Sequence, residues 1–311
     1  MKSEVKIQTY FSTEKRASLD NGKWLAVWRL LRPHQWVKNA FVLVGLIFSQ
    51  QFSDLQIVTR VIFATIAFSL VSSSVYILND WFDREKDKLH PKKCARPLAA
   101  GALSARTAFI IFGLLVVLGF ALGFFVSVVT GGILAVYILQ NLAYSRGLKN
   151  IVVLDVFLLA LGFMLRIMAG TWGVGIAPSN WLLLCGLMLA LFMGFGKRWA
   201  ELNEFQEQAS QHRSVLRSYS QELLDKMIGI TAGGVVVTYS LYTVDAQTVA
   251  LHGTDHLIYT VPFVLYGVFR YLYLLHECKA GEDPSHLIVR DPHIRTVVFL
   301  WLVSVVWVLA K

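Results

Sequence analysis

The chain has 311 residues, 56% of them hydrophobic and 16% charged, with a formal net charge of +9. Soluble domains carry roughly a quarter charged residues, so this deficit points to lipid and excludes an ordinary soluble domain. The excess of Lys and Arg would suit nucleic acid, but its distribution along the chain assigns it to membrane topology instead.

Residues 1–22 form a polar, basic tail with no short apolar core and no small-residue cleavage site, so no signal peptide is read there. From Lys23 to Lys38, Trp24, Leu25, Val27, Trp28, Leu30 and Leu31 alternate with basic residues. That pattern suits an amphipathic helix lying in the membrane interface and stopped by Pro33. Beyond it the charges segregate: none occurs from Val61 to Asn79, Thr107 to Ser145, Ile167 to Gly196 or Met227 to Val244. A span needs roughly 20 apolar residues, so the second run holds two, with a turn expected at Thr130-Gly131-Gly132. Spans are predicted near 39–53, 57–80, 105–127, 130–145, 150–171, 179–197, 227–246, 256–276 and 295–310. The fold class is all-α and polytopic, with about nine transmembrane helices and an error of about one, and 23–311 reads as a single transmembrane domain.

With nine spans, the N-terminus and the loops at 81–104, 146–150, 197–226 and 277–294 share one side. Of the 29 Lys and Arg, all but Arg60, Arg166, Arg270 and Lys311 lie in these segments or at their span edges. Cytoplasmic loops hold the positive excess, which predicts a multi-pass protein of the inner (plasma) membrane with its N-terminus and charged loops cytoplasmic. The lipid bilayer is then a partner and nucleic acid is not. Cys94, Cys185 and Cys278 are odd in number and far apart, with no metal-ligand spacing, which excludes cysteine chemistry.

The second predicted span ends in Asn79-Asp80-Trp81-Phe82-Asp83-Arg84-Glu85-Lys86-Asp87. On a helix with Asn79 at zero, Asp83 lies about 40° round, Asp87 about 80° and Asp80 about 100°, whereas Glu85 points away. Like charges on one stripe repel unless a cation neutralises them. Hard oxygen ligands at a membrane edge suit Mg²⁺, which prefers a few carboxylates together with substrate phosphates and water. The stiff loop that follows, His90-Pro91-Lys92-Lys93-Cys94-Ala95-Arg96-Pro97, brings cations beside the acids, and Arg96 is a candidate for phosphate oxygens.

Gly196-Lys197-Arg198-Trp199-Ala200-Glu201-Leu202-Asn203-Glu204 ends the sixth span, with Lys197, Arg198, Glu201 and Glu204 on one stripe. An acidic, Mg²⁺-loaded helix facing a cationic one would make a cleft for a substrate with two phosphate groups. Asp155 and Arg166 sit inside the fifth span, where ionisable groups line cavities or pair across helices. Tyr144-Ser145-Arg146-Gly147-Leu148-Lys149 is a tight basic loop on the same side.

At these residues the sequence resembles the UbiA superfamily of intramembrane prenyltransferases, through Asn79-Asp80-x-x-Asp83-x-x-x-Asp87 and the two long loops after spans 2 and 6. The resemblance implies helices around a central cavity capped by cytoplasmic loops. Within the superfamily, Arg32-Pro33-x-Gln35-Trp36-Val37-Lys38-Asn39, His90-Pro91, Arg96-Pro97, Tyr144-Ser145-x-x-Leu148-Lys149 and Gly196-Lys197-Arg198-x-Ala200-Glu201-Leu202 are similar to the branch that makes polyprenyl-phosphoryl phosphoribose. The sequence departs from ordinary members at span 6, where they carry a second DxxxD pair.

The resemblance implies an enzyme, a Mg²⁺-dependent transferase of 5-phosphoribose from 5-phosphoribosyl 1-diphosphate to a polyprenyl phosphate, releasing diphosphate. Asn79, Asp80, Asp83 and Asp87 would hold the metal, with Asp83, Asp87 and Lys197 catalytic. Lys38, Arg96, Tyr144, Lys149, Arg198 and Glu201 would bind substrate. The alternatives are a prenyltransferase joining a prenyl diphosphate to an aromatic acceptor, and a transporter or lipid-carrier binding protein. A homo-oligomer is compatible with the sequence.

Overall fold

The computed structural model describes residues 22–89, 93–204, 214–277 and 291–309. Residues 1–21, His90-Pro91-Lys92, the side chain of Glu204 and Cys278 lie outside these. Among the described residues there is no strand, and eight helices are long and apolar enough to cross a membrane. Bulky apolar side chains such as Ile110, Val117 and Phe125 stay exposed, as suits helices solvated by lipid.

The eight are α3 (Leu55–Phe82), α5 (Ala105–Val126), α6 (Val128–Arg146), α7 (Leu154–Ala169, its span running on to Val174), α8 (Asn180–Glu204), α9 (Gln221–Val244), α11 (Val261–Glu277, its span starting at His256) and α12 (Pro292–Leu309). Short helices are α1 at 22–31, α2 (Val44–Ser49), α4 (Arg84–Lys88) and α10 (Ala246–His252). The count falls within the error of one on nine, and the difference lies at the first predicted span. Instead of one α-helix over 39–53, the chain forms a 3-10 helix, Pro33–Leu43, then α2, then Gln51–Ser53, with Gln50 in a left-handed conformation at φ 57°.

Side-chain chemistry explains this break. Trp36 Nε1 donates to Ser73 Oγ at 2.9 Å, Asn39 Nδ2 to Ser69 Oγ at 2.9 Å, and Ser73 Oγ to the Leu31 carbonyl at 2.8 Å. The serine face of α3 thus binds the start of this segment by its polar groups. Farther on, a Cβ on Gly45 would stand 2.2 Å from the Gly170 carbonyl oxygen, so backbone meets backbone there.

The turn between the next two spans also moves. It falls at Ser127, before the predicted Thr130-Gly131-Gly132, because Ser127 caps α6: its Oγ accepts the Thr130 N–H at 3.0 Å and donates to the Gly173 carbonyl at 2.6 Å.

Two compact units result, Met1–Ala40 with Thr65–Phe125, and Phe41–Ala64 with Val126–Lys311. In the first, Leu30 of α1 packs with Ile77, Leu98, Ala108 and Leu115. Trp24, Leu25 and Trp28 leave the other side of α1 exposed, the two-faced pattern of an interfacial helix. In the second unit the core runs through α7, α8, α9 and α11, with Val156, Phe192, Trp199, Ile228 and Tyr271 among its members.

Gly170→Ala should destabilise the protein by about 1–3 kcal/mol or more, since its Cβ would lie 1.7 Å from the Val42 carbonyl oxygen. Gly229→Ala, in the interior of α9 with nothing within 4 Å of a new Cβ, should stabilise it by up to about 1 kcal/mol. Thermal unfolding of the two detergent-solubilised variants should move in opposite directions.

Candidate active site

In the first unit, the acidic residues lie where α3 passes into α4. Asp83 stands at the junction with φ −92° and ψ 2°. The helical path nonetheless continues, since the Asp83 N–H donates to the Asn79 carbonyl at 2.9 Å and the Asp87 N–H to the Asp83 carbonyl at 2.8 Å. Asp80 and Asp87 consequently share one side, and both meet the same guanidinium. Arg96 Nη1 lies 2.6 Å from Asp87 Oδ2 and 3.1 Å from Asp80 Oδ1. Glu85 points outward, as its helical angle predicts. It is fully exposed, and hydrogen bonds from Lys88 and then Arg84 hold its carboxyl below the usual carboxylate range.

Asp80 has a second partner that the sequence analysis did not assign: Arg32, whose Nη2 donates to the same Oδ1. Helix α1 ends at Arg32, whose N–H donates to the Trp28 carbonyl at 3.3 Å and whose φ is 53°. Glycine usually fills such a left-handed position after a helix, and a long side chain there carries strain of about 1–3 kcal/mol. The available signal was the Arg32-Pro33 pair, because proline bars the preceding residue from right-handed helix.

The fit of this cluster to a divalent cation is mixed in geometry and good in chemistry. Among the described residues no three Asp, Glu, His or Cys side chains converge to enclose a metal ion, because the guanidiniums of Arg32 and Arg96 draw Asp80 and Asp87 to themselves. Yet Asp80 is only 2% exposed and its Oδ2 is buried with no hydrogen-bond partner. A buried carboxylate oxygen without a donor calls for a ligand, and an all-oxygen donor set suits Mg²⁺.

In the second unit, the end of α8 carries the basic cluster. Arg198, expected among the substrate-binding residues, has a fully buried guanidinium engaged by protein groups. Nε donates to Asp155 Oδ2 at 2.6 Å, Nη1 to Glu201 Oε2 at 2.6 Å and Nη2 to Tyr144 Oη at 3.3 Å. Asp155, itself fully buried, also accepts from Tyr219 Oη at 2.8 Å. Tyr219 in turn accepts the N–H of Val153, a β-branched residue at φ 69°, at 2.8 Å. Burial, with the hydrogen bond to Asp155, pushes the Tyr219 phenol up, so it stays a donor at neutral pH. Asp155 thereby leaves the open question of cavity or pair as Arg198's partner. Arg166 belongs elsewhere, donating to the Gly162 carbonyl at 2.7 Å and to Tyr137 Oη at 3.1 Å.

Arg198 thus ties together Glu201 and Tyr144, both half-buried. Lys197 precedes it on α8, and Lys149 lies in the 3-10 turn Leu148–Asn150 after α6; both are half-buried. Lys38, in the 3-10 helix of the first unit, is half-buried too. The second unit also holds an apolar cavity of about 300 Å³, lined by residues including Phe48, Leu182, Phe192, Tyr239 and Trp301. Its lining on α8 runs from Leu182 to Met193, one helical turn short of Lys197.

Asp155→Asn should cost about 3–5 kcal/mol, since it removes the fully buried partner of Arg198 and leaves it only the half-buried Glu201 carboxylate. Tyr219→Phe should cost less, about 1–3 kcal/mol, by stranding the Val153 N–H and one Asp155 oxygen. Thermal unfolding in detergent checks both, and an Asp155→Asn protein as stable as the parent would refute the pairing.

Comparison with known proteins shows what the chain is similar to. The chain is 32% identical over 291 residues to the decaprenyl-phosphate phosphoribosyltransferase of Mycolicibacterium smegmatis, covering 88% of this chain and 89% of that one. It is 33% identical to the protein of the same name from Corynebacterium glutamicum, covering 89% and 85%. In fold it is similar to a UbiA homolog from Archaeoglobus fulgidus bound to DMAPP and Mg²⁺, with a TM-score of 0.68, 18% identity, and coverage of 91% of this chain and 98% of that one. The model of the UbiA prenyltransferase family matches residues 39–308, and the chain belongs to that family.

Proposed function

We propose that the chain transfers the 5-phosphoribosyl group from 5-phosphoribosyl 1-diphosphate to a polyprenyl phosphate and releases diphosphate. The likeness to two decaprenyl-phosphate phosphoribosyltransferases over most of the chain supports it. The observation that carries it over ordinary prenyl transfer is the end of α8. There Lys197, Arg198 and Glu201, tied to Asp155, stand in place of a second aspartate pair. Such a cluster suits a phosphate monoester or ribose hydroxyls better than a second metal-bound diphosphate.

In the reaction, a phosphate oxygen of the lipid forms a bond to C1 of the ribose as the C1–O bond to diphosphate breaks. The nucleophile is already anionic at neutral pH, so no general base is required. Mg²⁺ held by Asn79, Asp80, Asp83 and Asp87 would offset the charge gathering on the departing diphosphate. Lys38 and Arg96 of the first unit, and Lys149 and Lys197 of the second, are cations suited to phosphate oxygens. Glu201 and Tyr144, held by Arg198, offer hydrogen bonds to the sugar. The apolar cavity takes part of the polyprenyl tail. An engineered cavity of roughly 150 Å³ admits a benzene, so about 300 Å³ takes on the order of a dozen carbons. The rest of a long tail remains in the bilayer. The membrane is the inner (plasma) membrane, with the charged loops cytoplasmic, where soluble phosphosugar is supplied.

The purified protein, incubated with labelled phosphoribosyl diphosphate and polyprenyl phosphate, should yield a labelled ribosyl lipid. Product only from a prenyl diphosphate with an aromatic acid would overturn the assignment. Asp83→Asn and Asp87→Asn should abolish turnover without preventing membrane insertion. Lys197→Ala should raise KM for phosphoribosyl diphosphate by the loss of a contact worth about 1.5–3 kcal/mol, with little change in Mg²⁺ dependence. An impermeant thiol reagent should reach the exposed Cys94 only from the cytoplasmic side.

A further inference from the structure

Asp80 and Arg32 pose a question that the transfer reaction does not answer: why a strained, non-glycine residue ends α1. A glycine would relax the backbone at φ 53°, yet the position carries an arginine whose guanidinium runs to a carboxylate 48 residues away. Its surroundings hold it there. The guanidinium carbon lies 5.3 Å from the centroid of the Tyr76 ring, one helical turn before Asp80 on α3. The Arg32 carbonyl accepts the Gln35 N–H at 2.8 Å, and the neighbouring Leu31 carbonyl accepts from Ser73 of α3. The Arg32 side chain and the backbone carbonyl just before it are therefore both fastened to α3.

The two oxygens of Asp80 are treated unequally. Oδ1 receives both Arg32 and Arg96, while Oδ2 is buried and partnerless. Charge balance alone does not require both donors to meet one oxygen and leave the other bare. We infer that Arg32 is a positioning residue, gripping Oδ1 of Asp80 so that Oδ2 stays turned to receive a divalent cation. Arg96 also bonds Asp87 and so serves charge balance across both acids, whereas Arg32 is the partner held against the Tyr76 ring. This inference rests on the reading that Asp80 meets a metal, and it is independent of which phosphorylated donor the metal accompanies.

The test measures Mn²⁺ binding to the purified full chain by electron paramagnetic resonance, without substrate, beside the Mg²⁺ concentration giving half-maximal turnover. Arg32→Lys keeps the charge and loses the planar fork. It should weaken Mn²⁺ binding about tenfold, the effect common for groups that orient metal ligands, and raise the half-maximal Mg²⁺ concentration in parallel. KM for phosphoribosyl diphosphate at saturating metal should change less than about twofold, a split that general loosening of the fold would not produce. Tyr76→Leu leaves both charges and removes the ring beneath the guanidinium, and should weaken Mn²⁺ about threefold. This second variant decides the matter if Arg32→Lys fails to fold. Mn²⁺ affinity that is unchanged or tighter in the folded variants overturns the inference, since Arg32 would then only compete with the cation. Absence of ribosyl lipid with Mn²⁺ binding altered as stated would overturn the donor and leave this role of Arg32 standing.

Discussion

Asp80 is a carboxylate almost wholly removed from water near the end of a membrane-crossing helix. An unpaired charge there costs several kcal/mol, so the chain around it is arranged to deliver positive partners. Helix α1 stops at a strained Arg32, and the 3-10 helix that follows is pinned to α3 by Trp36 and Asn39. The loop after α4 brings Arg96 back over the same carboxylate. Elements that look like irregular connections are the means by which one buried acid is given its cationic partners.

The same rule operates independently in the second unit with the signs exchanged. There the buried group to be satisfied is Arg198, and its donors are divided among Asp155, Glu201 and Tyr144. Tyr219 completes Asp155 and also holds the backbone at Val153. Arginine suits this position because a rigid fork serves several acceptors at once, which a lysine ammonium on a flexible stem does less well. Burying Arg198 fixes the angle of Glu201 and Tyr144, and leaves Lys197 as the more accessible cation of the pair.

Much of this was legible in the sequence, where apolar run length and charge segregation were decisive. The eight long helices follow from stretches that only lipid tolerates, and the shared side of Asp80 and Asp87 follows from helical angle alone. Three features were not legible, each for a physical reason. The broken segment at 33–53 is apolar enough for a span, but its geometry is set by hydrogen bonds to Ser69 and Ser73, which hydropathy does not see. Ser127 beats the glycines as a turn because capping decides where a helix starts. Arg198 had the composition of a phosphate ligand. Its burial depends on Asp155 and Tyr219, distant in sequence, and no local pattern announces Tyr219.

Under the proposed reaction, the pairing of Asp80 and Asp87 with Arg32 and Arg96 has a further consequence for binding. The four side chains cancel in formal charge, so the metal-free cluster is tolerable at the membrane edge. A diphosphate arriving with a divalent cation brings its own near-balance of charge. The Arg96 guanidinium, shared between Asp80 and Asp87, would be free to turn to phosphate oxygens as those carboxylates met the cation, while Arg32 kept Asp80 in place. A cluster of acids alone would bind the metal more strongly in isolation but would hold an uncompensated charge without it. Mixed clusters of acids and arginines at the ends of long apolar helices are therefore what chemistry on charged substrates at a bilayer surface calls for. In this chain the division of labour falls on residues whose spacing in sequence, from Arg32 to Arg96, gives little hint of their meeting.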